Sequence, residues 1–128
     1  MTDQELVERF ENLTLPPELF HHREHVRLAW IYLREYSPLT ALEKFCNGLK
    51  RFATSLGKAD RYHETISWAY LLLIHERMAK TESADSWEAF AEANEDLLDW
   101  GSNILKQYYR EETLQSDLAR RIFLFPDK

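Results

Sequence analysis

Only three glycines and four prolines punctuate the 128 residues of this chain, and between them apolar side chains recur every three or four positions. Glycine and proline are the residues that most disfavour a helix interior, and an apolar period of 3.6 marks a helix packed on one face. Leu6, Val7, Phe10 and Leu13 keep that spacing ahead of Pro16-Pro17. Val26, Leu28, Ala29, Ile31, Tyr32 and Leu33 keep it ahead of Pro38, and Leu42, Phe45, Cys46, Leu49, Phe52, Ala53 and Leu56 keep it ahead of Gly57. The expected fold is all-α: one domain over residues 1–128, a helical bundle of about five to seven helices in which helices 2 to 4 run up, down, up.

Local signals set the expected boundaries. Thr2 or Asp3 caps a first helix to about Leu13, a second starts between Glu18 and His22 and ends at Tyr36, and Pro38 opens a third that Gly57 closes. A fourth runs from about Tyr62 to Lys80 and is apolar nearly all round, as a central helix would be. After a loop at Thr81 to Ser86, Asp85 with Glu88 reads as a capping box for a fifth helix to about Leu98. Short helical segments are expected at Asn103 to Tyr109 and Ser116 to Phe123.

The charge narrows the partners. A formal net charge of −6 and a pI near 5.4 argue against nucleic acid and anionic membranes, both of which are held by clustered Lys and Arg. No apolar run reaches the length of a membrane span, and the acidic, amphipathic start MTDQELVERFENL is unlike an export signal, so a cytoplasmic protein is expected. The lone Cys46 falls in an apolar pattern and reads as core packing.

Chemistry is concentrated in histidine. Three of the five histidines, His21, His22 and His25, fall at the start of the second helix, and His63 falls at the start of the fourth. His22 and His25, three apart, share a stripe with Ala29 and Tyr32 that leads toward buried residues, whereas His21 points further round. With helices 2 and 4 parallel, His63 would face that pair and complete a three-histidine metal site. The two helix N-termini disfavour imidazolium and help keep the ligands neutral. Glu24 and Glu64, each adjacent in sequence to a ligand, are the candidate catalytic groups, as base, further ligand or acceptor for an imidazole N–H. His75 lies about 16 Å along the helix from Glu64 and belongs to no such site, reading instead as a partly buried histidine. Arg23, Lys58 and Arg61 near the same rim suit a small anionic ligand. Trp30, Tyr32, Tyr62 and Tyr70 read as core residues with a polar handle.

The blocks Phe20-x-His22-x-Glu24-His25-Val26-x-Leu28-Ala29-Trp30 and Tyr62-His63-Glu64-Thr65, with Leu114-x-Ser116, Ala119-Arg120 and Pro126-Asp127 further on, resemble a family of small bacterial helical proteins carrying F-x-H-x-[DE]-H-x-x-x-A-W and Y-H-E-T motifs. That resemblance implies that His22, Glu24, His25, His63 and Glu64 are motif positions and that His21 and His75 are not.

Three functions follow. The first is a small mononuclear metal-dependent enzyme in which His22, His25 and His63 hold Zn, Fe, Cu or Ni for hydrolytic or oxygen chemistry on a small molecule. The second is a non-catalytic binder of a metal or small anion. The third is an all-helical interaction module presenting Trp87, Phe90 and Trp100 to a partner. A homodimer is compatible with each.

Overall fold

The computed structural model describes residues 1–82 and 85–128, and among these every element of regular structure is helical. The chain divides into two compact units, Met1–Tyr62 and His63–Lys128.

The first unit holds α1 (Asp3–Glu11), α2 (His22–Glu35) and α3 (Pro38–Ser55), with 3-10 turns at Pro17–Leu19 and Ala59–Arg61. The Thr2 side chain caps α1 by accepting from Glu5 N–H, and Ser37 caps α3 by accepting from Thr40 N–H, with Pro38 in its first turn. α1 ends at Glu11, short of the expected Leu13. Leu13 itself adopts a left-handed backbone (φ 64°) in the turn that follows, a conformation that costs a residue bearing a Cβ. Gly57 takes the corresponding position after α3, with φ 69° and nothing within 4 Å of where a Cβ would sit.

Aromatic packing holds this unit together. Phe10 of α1, Phe20 ahead of α2 and Phe52 of α3 meet with ring centroids 5.0 to 5.7 Å apart. Polar ties reinforce them. Arg27 donates twice to Asp3 Oδ1 and once to the Met1 carbonyl, Tyr32 Oη–H donates to Glu11 Oε2 at 2.6 Å, and Arg51 donates to the Glu11 carbonyl. Burial and the Glu11 carboxylate both push the Tyr32 phenol above its ordinary range.

The second unit holds α4 (Glu64–Lys80), α5 (Trp87–Ala93), α6 (Glu111–Gln115) and α7 (Asp117–Arg121), with 3-10 turns at Glu95–Leu97 and Ile104–Gln107. The cap of α5 is Ser86, which accepts from Ala89 N–H, rather than the expected Asp85. The helix also stops at Ala93 instead of about Leu98, because Asn94 turns its side-chain amide onto the Phe90 carbonyl and Thr81 Oγ1. Asn94 Oδ1 in turn accepts from Arg77, which makes a two-armed pair with Asp96. α6 was not expected from the sequence. Its first turn is fixed by Asp127, whose carboxylate accepts from Arg110 N–H and Thr113 Oγ1–H. The buried Thr65 hydroxyl donates to the Ile122 carbonyl and accepts from Leu124 N–H, which ties the C-terminal segment to the first turn of α4.

Three expectations about exposure are corrected. Trp87 and Phe90 are buried, so of the proposed aromatic partner face only Trp100 remains exposed. His75 is exposed rather than partly buried. The expectations for Trp30, Tyr32, Tyr70 and Cys46 agree with what is found, since all four are buried.

A Cβ on Gly48 would lie 2.5 Å from Phe10 Cε2 and 2.9 Å from Cζ, and Phe20 and Phe52 leave that ring nowhere to retreat. Gly48→Ala is expected to destabilise the protein by about 1–3 kcal/mol through overpacking, despite alanine's better helix propensity. Chemical denaturation reads this, and adding Phe10→Leu should recover part of the loss.

Candidate functional site

The histidine-rich segment lies at a helix start, as expected, and the backbone gives each residue a separate task. His21 is the N-cap residue of α2 and is exposed. Its N–H donates to Glu24 Oε1 at 2.9 Å, and its ring Nδ1 lies 3.1 Å from the same oxygen. The carboxylate of Glu24 therefore satisfies an amide that the helix leaves unpaired, the reciprocal half of a capping box. His22 is the first residue of α2 and is half-buried. His25 follows in the first turn, and the stripe continues through Ala29 and Tyr32, both buried as expected.

His25 is the most constrained of these side chains. One face of its ring stacks on Phe20 at 4.0 Å between centroids and 16° between planes. Its Nδ1 lies 2.8 Å from the His21 carbonyl oxygen. A carbonyl only accepts, so Nδ1 carries the proton and Nε2 bears the lone pair. Burial lowers the His25 pKa to about 4, against the hydrogen bond to His21, which favours the charged ring, and with the nearby His22 adding to the depression. The ring is neutral at physiological pH. Phe20, with no chemistry of its own, stacks on the ring and sets its orientation.

In the second unit, His63 is the N-cap residue of α4. Its Nδ1 accepts from Ile66 N–H at 3.1 Å, and its Nε2–H donates to the Leu114 carbonyl at 2.7 Å. Both nitrogens are thus engaged within the chain, which requires the neutral tautomer protonated on Nε2. Burial lowers its pKa, opposed by the Leu114 hydrogen bond. The block Leu114-x-Ser116 stands out in the sequence, but its tie to His63 does not, because Leu114 contributes a backbone carbonyl 51 residues away. Glu64 is the first residue of α4 and is half-buried. Arg23, Lys58 and Arg61 are exposed.

The structure accordingly places His21, Glu24 and His25 in one hydrogen-bonded turn with His22 beside them, and His63 with Glu64 at the start of the other unit. Among the described residues no group of three or more His, Cys, Asp or Glu side chains is gathered as a metal ion would need. No family model, curated protein or solved structure matches the chain.

Two predictions follow from the depressed imidazole pKa values and the caps. The unfolded chain takes up the His25 proton near pH 6.5 and the folded chain only near pH 4, so this contribution is full above about pH 6.5 and is lost as pH falls toward 4. It amounts to on the order of 3 kcal/mol, and His63 acts with the same sign. Denaturant unfolding at a series of pH values should show this acid limb in the wild type and a flatter one in His25→Asn; parallel curves would mean that His25 is not the titrating group. Separately, His63→Ala removes an N-cap and should cost about 1 kcal/mol, whereas His63→Asn, which can accept the same N–H, should recover much of it.

Proposed function

We propose that the protein binds a single transition-metal ion through imidazole, with His22 and His25 as the paired ligands on α2. The observation that carries this reading is the setting of His25. A metal-binding histidine characteristically gives its other ring N–H to a backbone carbonyl or carboxylate, which fixes the tautomer and aims the lone pair. His25 gives Nδ1–H to the His21 carbonyl and stays neutral, so Nε2 offers a lone pair at pH 7 without a proton to expel. His63 fits less directly. Its Nδ1 lone pair is occupied by Ile66 N–H, so ligation through that atom exchanges a helix cap for a metal bond.

Imidazole donors suit Zn, Fe, Cu or Ni. Bound with a position open to water, such an ion would supply Lewis-acid or oxygen chemistry to a small molecule; with none open, the protein is a metal carrier or sensor. Glu24 and Glu64 are the candidate bases, and Glu24 Oε1 accepts from the His21 amide. The exposed Arg23, Lys58 and Arg61 favour a small anionic ligand.

A second reading has its own observation. His21, Glu24 and His63 all serve helix starts, and both nitrogens of His63 are engaged, which suits a helical interaction module whose histidines are structural. Elemental analysis of protein purified without an affinity tag, followed by titration with each of the four metals, separates the two. The metal reading expects one ion per chain and an affinity lower by at least about tenfold in His25→Ala; His63→Asn, which keeps the cap but not the ring, reports whether His63 takes part. A wild type that cannot be loaded with any of the four metals would overturn it. Full binding by His63→Asn would restrict the site to His22 and His25.

A further inference from the structure

The second unit carries an apolar surface that the metal reading does not use. Trp68 of α4 stacks on Phe123 at 5.0 Å between centroids, and Phe125 meets Phe123 edge-on at 5.8 Å. Phe125 is 84 % exposed, so the aromatic run ends in a ring presented almost wholly to solvent. Beside it on the same segment, Leu118 and Ile122 are both about half exposed, and Leu72, one turn after Trp68 on α4, is exposed as well. Single exposed apolar residues are ordinary, but a cluster fixed by ring stacking and by the Thr65 hydrogen bonds to Ile122 and Leu124 is a preformed patch.

The charges bordering the patch indicate what would cover it. Asp117 and Arg121 lie four residues apart on α7, offset by about one residue from the Leu118 and Ile122 pair. Their mutual ion pair is 3.0 Å long and both side chains are largely exposed, a class of pair worth little and readily exchanged for another partner. A helical turn with an acid at its first residue, a base at its last and Leu118 between them, followed by Ile122 at the C-cap, is complementary to itself when turned end for end. In a two-fold arrangement residue i of one copy meets residue j of the other and j meets i. Leu118 and Ile122 would then face their counterparts, and Asp117 would face Arg121 of the second copy twice over.

We propose that α7 and the Ile122–Phe125 segment form a two-fold homodimer interface, with Asp117 and Arg121 exchanging their ion pair across the axis. The exposed apolar side chains of this interface, Leu118, Ile122 and Phe125, fall short of the roughly 800 Å² per partner of a standard interface, so the dimer is a weak one that forms as concentration rises. This proposal does not depend on metal binding.

The test is the mass of the full-length chain by sedimentation against concentration. Wild type should pass from monomer toward dimer, and Phe125→Ser, which changes a surface ring outside any helix, should shift that transition to higher concentration. Asp117→Arg and Arg121→Asp should each be monomeric because like charges then meet across the axis, with circular dichroism checking that the helices persist. Mixing the two variants should restore the dimer, since every cross-axis pair is again opposite in sign although each chain's own pair stays repulsive. A wild type that remains monomeric to about 1 mM, where an association of about 4 kcal/mol becomes visible, overturns the proposal. So does dimerisation unaffected by Phe125→Ser and both charge variants.

Discussion

The first unit depends on three phenylalanine rings drawn from three separate segments. Phe10, Phe20 and Phe52 can meet only because α3 carries a glycine where Phe10 comes closest. Aromatic rings supply large buried area together with a directional preference, so this cluster fixes position as well as supplying stability. Phe20 benefits most, because it precedes α2 with only the short 3-10 turn Pro17–Leu19 behind it. Once fixed, it presents a flat face on which His25 rests. The orientation of the His25 imidazole, whose pKa burial depresses, is thus inherited from hydrophobic packing that has no chemical role.

The same residue letters serve two physical purposes at the helix starts. A helix N-terminus needs an acceptor for its unpaired amides, and an unprotonated imidazole nitrogen meets that need as well as a metal's. His63 shows the overlap most plainly, since the lone pair a metal would use is the one that receives Ile66 N–H. Histidine spacing alone cannot separate these uses. What separates them is the lone pair: both rings give an N–H to a backbone carbonyl, but the remaining nitrogen of His63 already accepts from Ile66 N–H.

How far the fold could be read depended on the distance over which each boundary is set. The starts of α1 and α3 are fixed by Thr2 and by Ser37-Pro38, each within a turn of the helix it opens, and these were legible, whereas the start of α2 is set by the His21–Glu24 cap. α6 was not, because the carboxylate that organises its first turn belongs to Asp127, 17 residues from the amide it accepts. α5 lay between these cases: its period was visible, but whether Asn94 continues the helix or caps it is decided by Thr81 and Arg77 on a neighbouring element. The stripe through His22, His25, Ala29 and Tyr32 was visible because face geometry is local. The roles of Leu114 and of Phe20 beneath His25 were not, since neither a backbone carbonyl nor the tilt of a ring is written in the spacing.

The hydroxyl of Thr65 has a consequence for the order in which the second unit can be completed. It sits in the first turn of α4, fully buried, and its two partners, Ile122 and Leu124, lie 57 and 59 residues further along. Contacts of such separation are slow to form, because the loop must close before any energy is returned. During synthesis, α4 emerges long before its partners do, with Thr65 and Trp68 awaiting a segment that the ribosome has not yet made. The unit therefore closes from its far end, and its most apolar helix spends the longest time awaiting its last companion.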